Sequence, residues 1–512
     1  MCGKGTYTPF HNSGLLAQKS VGQNAGHDMS ALFEPGRNCW QLARTDRLSV
    51  IIDAADYFTA AREAMMRAQS SIMMVGWDFD ARIRFDAPEH NDDAPEHLGQ
   101  FMLWLANRTP DLQIRMLQWN SGMMKNWLRG ANAYYLCRWK WHSQITARFD
   151  GIHPPGGSHH QKLLVIDDSL AFCGGIDMTV KRWDTRNHLD DEPNRVSPSG
   201  RALEPWHDCA AMCDADAARA LGQVARRRWK RATGEDLPAI KGKPLEWPSI
   251  IKPLFGPAEI AIARSRPKME GQDPIREIEA LYIDMIATAR HVIYAESQYF
   301  ASRRIASALA RRLEEPDGPE VVIINPYSAD GWLEPIAMDT ARARLFEALR
   351  RHDRYNRLAI YHPVTAGRNP IYVHAKVMIV DDRLMRIGSS NFNNRSMRLD
   401  SECDVAIDAL QDETGGMAAQ LQQLRHDLLA EHLGFSIDEV RAAAEREGTL
   451  IGGIEALRRD EGRSLVRYEV PDLSVIETWL ADNEILDPDG PEEMFELVNR
   501  RGLFRGRLRR PK

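Results

Sequence analysis

Two short motifs contain the residues of this chain best suited to chemistry. The first is His160-Gln161-Lys162-Leu163-Leu164-Val165-Ile166-Asp167, and the second is His374-Ala375-Lys376-Val377-Met378-Ile379-Val380-Asp381. Both read H-x-K-x(4)-D, with four apolar residues between the lysine and the aspartate. An imidazole can act as a nucleophile or as a general acid or base, and an ammonium group neutralises phosphate charge. The pattern therefore predicts a site for a phosphodiester.

The similarity between the two regions continues beyond the motifs. A glycine follows each histidine by fourteen residues, at Gly174 and Gly388, and a short polar residue follows by seventeen, at Asp177 and Asn391. The apolar segments upstream also correspond, IMMVGWDF with VIYAESQYF. One H-x-K alone is a weak signal, but two copies with a shared tail predict an internal duplication.

The spacing within each motif favours a site built on a strand. Residues i and i+2 of a strand face the same side, so the histidine and lysine of each motif should point together. The apolar run that follows is typical of a strand buried in a sheet. Asp167 and Asp381 come where these strands end, and each is followed by a second aspartate. We expect them to orient the loop or a neighbouring histidine rather than to attack a substrate.

Short apolar runs alternate with helical patterns along both regions, which predicts an α/β fold. We expect two homologous α-β-α sandwich halves with mixed β-sheets, packed about a pseudo-two-fold axis with the active site at their interface. The predicted organisation is an irregular segment over 1–47, a first half over 48–236, a linker over 237–257, a second half over 258–434, and a helical extension with a basic tail over 435–512. The linker is predicted from Pro, Gly and Lys residues that follow no clear period.

The composition limits the class of protein. The chain has 43% hydrophobic and 27% charged residues, which is typical of a globular protein, and its formal net charge of −6 argues against a broad nucleic-acid surface. Seven cysteines without C-x-x-C spacing favour reduced thiols and therefore a cytoplasmic protein. The N-terminus lacks the charged start and apolar run of a signal peptide, and no apolar stretch reaches the roughly 18–20 residues of a membrane span.

Two halves related by a two-fold axis would bring two imidazoles and two ammonium groups to one seam. One neutral imidazole would attack phosphorus and form a phosphohistidine, and the other, protonated, would donate a proton to the leaving alcohol. The lysines, with Asn391 and Asn393, would neutralise the phosphate and the charge that builds on its oxygens. Because the lysines supply the positive charge, we expect neither a metal nor a cofactor.

These residues resemble the phospholipase D superfamily, whose signature is the doubled H-x-K-x(4)-D motif. Five flanking segments are similar to phospholipases D of the phosphatidylcholine type: GGIDMTVKRWDTR (174–186), PWHD (205–208), ESQYF (296–300), GSSNFNNRS (388–396) and LRHDLLAEHLG (424–434). The resemblance covers roughly residues 48 to 434. Ser297 departs from it, because the family usually has asparagine at that position.

The resemblance implies a role for each motif residue. The catalytic set would be His160, Lys162, Asp167, His374, Lys376 and Asp381. The residues that bind phosphate or support the site would be Asp177, Asn391, Asn393, Asp208, Glu402 and Gln298, of which Asp208 and Glu402 would support the histidines. His160 would be the nucleophile and His374 the general acid and base, with the reverse assignment as the alternative.

The function that the resemblance implies is hydrolysis or head-group exchange of glycerophospholipids, which yields phosphatidic acid and an alcohol. The alternatives are phosphatidyl transfer of the cardiolipin-synthase kind, a nuclease of the same superfamily, and a non-catalytic protein of the membrane surface. We expect a phospholipid substrate met at a membrane surface and no nucleic acid. Since both motifs lie in one chain, we also expect a monomer, located in the cytoplasm and peripheral at the membrane.

Four further features have two interpretations each. His159 is expected to be structural, and His207 to be packed or hydrogen-bonded rather than a third catalytic histidine. The segment Trp127–Trp141 mixes aromatic and basic residues, so it could rim a lipid site or form a partly buried helix, and both remain open. The basic tail Arg505–Lys512 is expected to be solvated.

Overall fold

Short apolar segments of the chain form the strands of two β-sheets. They are seen in a computed structural model, which describes residues 32–85, 93–120, 130–328 and 338–470. The described strands are β1 (Gln41–Thr45), β2 (Leu48–Ile52), β3 (Ser71–Gly76), β4 (Gln113–Trp119), β5 (Ile145–Asp150), β6 (Leu163–Ile166), β7 (Leu170–Gly174), β8 (Trp206–His207), β9 (Cys209–Asp214), β10 (Ala258–Arg266), β11 (Ile275–Arg276), β12 (Val292–Glu296), β13 (Glu320–Ile324), β14 (Leu358–Val364), β15 (Tyr372–Val373), β16 (Val377–Val380), β17 (Leu384–Gly388), β18 (Glu402–Asp408) and β19 (Ser464–Arg467).

The helices follow the predicted amphipathic patterns. They are α1 (Ala54–Met66), α2 (Leu98–Arg108), α3 (Gly130–Lys140), α4 (Ala215–Thr233), α5 (Glu277–Thr288), α6 (Arg303–Leu313), α7 (Thr340–His352), α8 (Gly416–Leu433), α9 (Ile437–Glu447) and α10 (Leu450–Leu457). Helix α9 begins at a capping box in which Ser436 and Glu439 satisfy each other's backbone N–H groups. It ends at Gly448, whose φ of 72° is the left-handed conformation that terminates many helices. Among the described residues, no helix is long and apolar enough to cross a bilayer.

The two sheets repeat one strand arrangement, and the α/β duplication predicted from the motifs is confirmed. The first sheet has the order β2-β9-β7-β6-β3-β4-β5, and the second contains β10-β18-β17-β16-β12-β13-β14 in the equivalent positions. In each sheet the motif strand, β6 or β16, is antiparallel to its neighbours, while the three strands beyond it are parallel to one another. The sheets are therefore mixed in the same way.

The second sheet is longer than the first, and this corrects two of the predicted boundaries. Residues 41–45 fall in the segment expected to be irregular, yet they form β1, which pairs with β10 at one edge of the second sheet. Residues 464–467 fall in the extension expected to be helical, yet they form β19, which pairs with β14 at the other edge. Both strands gain their hydrogen bonds from partners far away in the chain, which local patterns do not reveal.

Three apolar cores hold the layers together. The central core contains side chains from both motif strands, including Leu163, Val165, Val377 and Ile379, and from helices α4 and α8. One outer core lies between the first sheet and helices α1 and α2, and the other between the second sheet and helices α5 and α6. Each sheet is consequently covered on both faces, which explains why its central strands, such as β6 and β16, are apolar along their whole length.

The two motif aspartates hold loops at the ends of the motif strands. Asp167 accepts backbone N–H bonds from Gln69, Ser70 and Ser71 at 2.8, 2.9 and 2.6 Å, just where β3 begins. Asp381 makes the equivalent three bonds to residues 290–292, at the start of β12. Both aspartates have positive φ, a conformation that aspartate adopts more readily than most residues. Because these contacts fasten loops at the far ends of the motif strands, we expect both aspartates to act in stability rather than in catalysis.

Replacing either aspartate with alanine is expected to reduce stability and leave the chemistry intact. Each change removes three charge-assisted bonds and costs about 2–4 kcal/mol, with the larger effect at Asp167, which is 3% exposed. Chemical unfolding would measure the loss, and turnover per folded molecule should stay within a few-fold of the parent. A hundredfold fall in turnover at unchanged stability would restore a catalytic role to the aspartate concerned.

Candidate active site

The H-x-K segments lie immediately before the motif strands rather than within them. Strand β6 begins at Leu163 and β16 at Val377, one residue after each lysine. Each lysine nevertheless turns back onto its own motif, because Lys162 Nζ donates to the carbonyl of His160 at 2.9 Å and Lys376 Nζ donates to that of His374. The prediction that the H-x-K residues lie on a strand is therefore wrong, because each strand begins one residue after the lysine. The histidine and lysine of each motif nevertheless remain in contact.

The two motif histidines meet at the interface between the halves. Their ring centroids are 6.4 Å apart, and the planes of the rings are inclined by 60°. Both rings line a cleft of about 280 Å³ whose walls include residues from both halves. A larger cavity of about 610 Å³ lies beside α1 and α3 and contains neither motif histidine, so we place the chemistry in the smaller cleft.

Each histidine is oriented by an acid from the opposite half. His160 Nδ1 lies 3.1 and 3.2 Å from the two carboxylate oxygens of Glu402, which opens β18 of the second half. His374 Nδ1 lies 2.6 Å from Asp208, which precedes β9 of the first half. The backbone repeats this exchange, since His160 N–H donates to Ser401 at 3.0 Å and His374 N–H to His207 at 2.7 Å. These reciprocal contacts are those of a two-fold relation between the halves.

The acids determine the tautomer of both rings. An Nδ1 that faces a carboxylate must carry the hydrogen, and in His160 the same nitrogen also faces the carbonyl oxygen of Ser389 at 3.0 Å. The lone pair of a neutral ring then lies on Nε2. Glu402 is itself held by the hydroxyls of Ser389 and Ser396 at 2.6 and 2.7 Å, so the orientation of His160 is anchored through two layers of hydrogen bonds.

The phosphate-binding positions differ between the halves. Lys162 forms an ion pair with Asp177 at 3.2 Å, whereas Lys376 contacts the neutral amide of Gln298 at 3.4 Å. Asp177 also accepts the backbone N–H of Trp77, and Asn391 accepts that of Gln298, which makes these two residues structurally equivalent. One lysine therefore has an ion-pair partner and the other has none at contact distance among its described neighbours.

This asymmetry appears in the electrostatics of Lys376. Burial lowers the pKa of Lys376 to about 7, against the opposing effect of Asp208 and with a further lowering by Lys162. A buried ammonium group beside a second ammonium group is poorly stabilised in the absence of an anion. A phosphodiester entering the cleft would restore the charge of this lysine, which is the behaviour expected of an anion site.

Burial shifts the pKa values of the two histidines and of their acids in opposite directions. Burial and the nearby lysines hold the pKa of both His160 and His374 well below the usual range. Burial also raises the pKa of Asp208 and of Glu402 to about 7, although the lysines and hydrogen bonds oppose this. With such low pKa values, the histidines alone would offer no acid for the leaving group near neutral pH. The raised pKa values of Asp208 and Glu402 allow each histidine–carboxyl pair to retain a proton there.

Further residues reach the cleft that the sequence did not single out. Arg182 lies over the ring of Trp206 at 4.1 Å, and its charge contributes to lowering the pKa of His374 after burial and Lys376. Trp77 and Trp119 stack with their centroids 5.5 Å apart on the rim of the cleft. Arg182 falls inside the quoted GGIDMTVKRWDTR segment, so the resemblance contained the signal, while the tryptophan pair depends on the packing of β3 against β4.

The remaining predicted residues take buried or structural positions. Asn393 lines the cleft and accepts the backbone N–H of Ser396 at 3.0 Å. His159 is 6% exposed and bonds the Ser401 hydroxyl at 2.6 Å, as a structural residue would. Ser297 donates to the carbonyl of Tyr299 at 2.8 Å, and this internal contact explains why a small hydroxyl fits there. His207 is fully buried among acidic side chains.

The aromatic and basic segment Trp127–Trp141 contains both buried and exposed aromatic side chains. Residues 127–129 lie outside the described residues, and α3 begins at 130. Trp139 is 3% exposed and belongs to the outer core of the first half, whereas Trp141 is 87% exposed. The two interpretations of this segment therefore each hold for part of it, with one tryptophan packed and another in contact with solvent. The basic tail also lies outside the described residues.

Known proteins are similar to this chain in sequence and in fold. The model of the family described as phospholipase D matches residues 347–449, which contain the second motif. Phospholipase D A of Dictyostelium discoideum is 25% identical over 474 residues, covering 78% of this chain and 36% of that protein. Phospholipase D1 of Schizosaccharomyces pombe is 24% identical, covering 82% of this chain and 37% of that protein. The chain thus spans about a third of the length of these two relatives.

A solved structure extends the comparison to the fold. Phosphatidylserine synthase from Haemophilus influenzae superposes with a TM-score of 0.52 and 15% identity, covering 75% of this chain and 88% of that one. At this identity the likeness shows the fold alone. The duplicated mixed sheets, with one H-x-K-x(4)-D motif in each half, define a two-halved α/β fold. The match over residues 347–449 and the two relatives make this chain similar to phospholipases D.

Proposed function

We propose that this protein is a phospholipase D-type enzyme that hydrolyses or transphosphatidylates glycerophospholipids through a phosphohistidine intermediate. The observation that carries the proposal is the crosswise arrangement of the motif histidines. Two imidazoles 6.4 Å apart, each held at Nδ1 by an acid of the other half, leave two Nε2 atoms for one phosphorus centre. That geometry suits a nucleophile and a general acid acting on opposite sides of a phosphoryl group.

In the first step His160 Nε2 attacks phosphorus and the bond from phosphorus to the alcohol oxygen breaks. His374 gives its Nε2 proton to that oxygen, so the alcohol leaves neutral, and Asp208 stabilises the ring at Nδ1. We assign the attack to His160 because its side chain is 16% exposed, against 4% for His374. Lys162 and Lys376 offset the charge on the phosphoryl oxygens, which makes a bound metal unnecessary for this step.

In the second step water or an alcohol attacks the phosphohistidine. His374, now neutral, takes the proton of the incoming hydroxyl, and the bond from His160 Nε2 to phosphorus breaks. The products are phosphatidic acid from water, or a new phosphodiester from an alcohol, and both histidines return to their starting states. The bound phosphodiester brings a negative charge beside both lysines, which opposes their effect in lowering the pKa of His374.

The form of the cleft supports a lipid head group over a nucleic acid. Its rim carries the stacked pair Trp77 and Trp119, together with Trp206 and Tyr299, and indole and phenol rings suit the interface between water and lipid. The net charge of −6 disfavours long contact with a polyanion. A phosphatidyltransferase of the cardiolipin-synthase kind would use the same two steps, with a phospholipid hydroxyl as the acceptor.

A competition experiment tests the proposed donor and acceptor together. Purified protein is incubated with vesicles that contain phosphatidylcholine, phosphatidylethanolamine and phosphatidylglycerol, with ethanol in the buffer, and the lipids are identified by mass spectrometry. We expect phosphatidic acid and phosphatidylethanol to form together, and a variant with both motif histidines replaced to form neither. Cardiolipin as the dominant product would favour the phosphatidyltransferase, and no conversion of any head group would refute the proposal.

A further inference from the structure

A second cluster of charged side chains lies behind the cleft and is fully buried. Asp53, His188 and His207 of the first half converge there with Glu431 from α8 of the second half, and none of the four is more than 6% exposed. One oxygen or nitrogen of each residue lies within 4.8 Å of the corresponding atom of every other. The phosphodiester chemistry does not use these four residues directly, so their assembly in the interior needs another explanation.

The distances in the cluster match the edges of a metal coordination shell. His188 Nε2 lies 3.2 Å from Glu431 Oε1 and 3.4 Å from Asp53 Oδ2, and His207 Nδ1 lies 3.2 Å from Asp53 Oδ1. A tetrahedral ion with bonds of about 2.0–2.1 Å holds its ligand atoms about 3.3 Å apart. A fourth distance, from His207 Nδ1 to Glu431 Oε1, is 2.7 Å and would open by about half an ångström around an ion.

Two of the atoms that face the centre of the cluster lack hydrogen bonds, while His188 Nε2 and Glu431 Oε1 bond each other at 3.2 Å. His207 Nδ1 and Asp53 Oδ2 are both buried and neither makes a hydrogen bond of acceptable geometry, although charged atoms surround them. Buried polar atoms are almost always satisfied, so two such atoms directed into one space indicate a missing ligand. Asp53 also has φ 65° and ψ 155°, a conformation that is costly for any residue except glycine, and it adopts this conformation next to the cluster.

The residues around the cluster form the outer shell that metal ligands require. His188 directs its other nitrogen, Nδ1, to Asp184 at 2.9 Å, and His207 directs its Nε2 to Glu296 at 2.8 Å. Backing of each ligating imidazole by a carboxylate is the usual arrangement at metal sites, because it fixes the tautomer and the ring orientation. The second oxygen of Glu431 is held by Arg186 at 2.5 Å, which leaves the first oxygen for the centre.

We propose that Asp53, His188, His207 and Glu431 bind one divalent first-row transition metal ion, zinc in the first instance, as a closed structural site between the two halves. Two imidazole nitrogens favour such an ion over magnesium or calcium, which prefer oxygen ligands alone. A charge of +2 balances the two carboxylates of the set, and four buried protein ligands leave no open position for substrate. The ion would tie α8 to the first half directly behind Asp208, the acid that orients His374.

A neighbouring set of three residues is a poorer candidate for the same ion. His207, Cys209 and Glu296 also lie close together, but Glu296 is already occupied by three donors. It accepts bonds from Tyr294, from His432 at 3.0 Å and from His207 Nε2 at 2.8 Å. The four-residue site has no sulfur ligand, whereas the three-residue set would use the sulfur of Cys209, and this difference can be measured.

Metal analysis of the whole chain tests the proposal. The protein is produced without an affinity tag in medium that contains trace metals, dialysed against a chelator under native conditions, and analysed by mass spectrometry of the elements. We expect about one zinc ion per chain that is retained on dialysis and released on unfolding. X-ray absorption at the zinc edge should show nitrogen and oxygen ligands, including imidazole, and no sulfur.

Matched variants separate a metal site from an ion-pair network. Glu431→Gln and Asp53→Asn should each lose the ion, whereas Asp427→Asn, one turn earlier on α8 and paired with Arg186, should retain it. Should a variant fold poorly, cobalt loading of the parent protein provides a second measurement, since four-coordinate cobalt has characteristic visible absorption. A parent chain that contains no metal, and whose thermal midpoint does not change when it is refolded with zinc or cobalt, would show that protons on the two histidines balance the carboxylates, and this would overturn the proposal.

Discussion

Replacing His374 with asparagine is expected to stop the enzyme after one chemical step rather than before it. With a phospholipid analogue whose leaving group is p-nitrophenolate, no proton is needed for departure, so His160 can still attack. One equivalent of p-nitrophenolate should appear in a burst, followed by a stall, because no base remains to activate water. The phosphatidyl group should stay on the protein through a bond that is stable in alkali and labile in acid, as phosphohistidine is.

The same substitution at His160 should behave differently. His160→Asn removes the nucleophile, so we expect no burst, no labelled protein and a loss of turnover of about 10⁴–10⁶-fold on either substrate. His352→Asn, at an exposed histidine paired with Glu314, serves as the control and should keep the parent rate. A burst in His160→Asn and none in His374→Asn would exchange the two roles, and the absence of a covalent adduct in both would exclude a phosphohistidine.

Replacing the two acids should produce crossed defects, because each serves the histidine of the other half. Asp208→Asn should resemble impairment of His374, with turnover of a natural phospholipid reduced about 10²–10⁴-fold and much less effect on the burst of p-nitrophenolate from the analogue, which reports the first step alone. The bond it disturbs is 2.6 Å long and determines the tautomer of His374. Glu402→Gln should impair both substrates alike, since it acts through His160, which attacks in either case.

The pH profile and the comparison of the two substrates distinguish positioning by these acids from general loss of structure. The acidic and alkaline limbs of the pH profile should move in Asp208→Asn and Glu402→Gln, because the pKa of each carboxyl is raised to about 7 by burial and a neutral amide cannot hold that proton. Glu314→Gln, at the matched surface pair with His352, should change neither limb. Equal effects of Asp208→Asn on the rate of the first step with both substrates would contradict the crossed assignment.

The features that could be predicted from the sequence are those that belong to its internal repeat. The two sheets, their motif strands and the residues at the seam follow from one pattern that occurs in both regions, and the apolar runs mark the strands because both faces of each sheet are covered. Local helical spacing also predicted some of the helices, among them α9 over 437–447, whose ends Ser436 and Gly448 cap. The two sheets and their motif strands could therefore be predicted from the duplication.

What could not be predicted depends on how the halves pack. Nothing in the spacing of Asp208 or Glu402 indicates that each would serve the other half's histidine, since that pairing exists only once β9 and β18 face each other. The motif aspartates were included in the catalytic set because they belong to the signature, yet their hydrogen bonds end at the loops before β3 and β12. The cluster around Asp53 joins residues nearly 380 positions apart in the chain, from Asp53 to Glu431, and no local pattern connects them.

The place of β1 at the edge of the second sheet has a consequence for the order in which the protein can fold as it is made. Strand β1 ends at Thr45, but its partner β10 begins at Ala258, so the ribosome must add more than two hundred residues before the pair can form. At ordinary rates of translation this takes roughly ten to forty seconds. During that interval the nascent strand has unpaired backbone groups, and the first half must reach a stable fold while its own leading segment waits for a partner not yet synthesised.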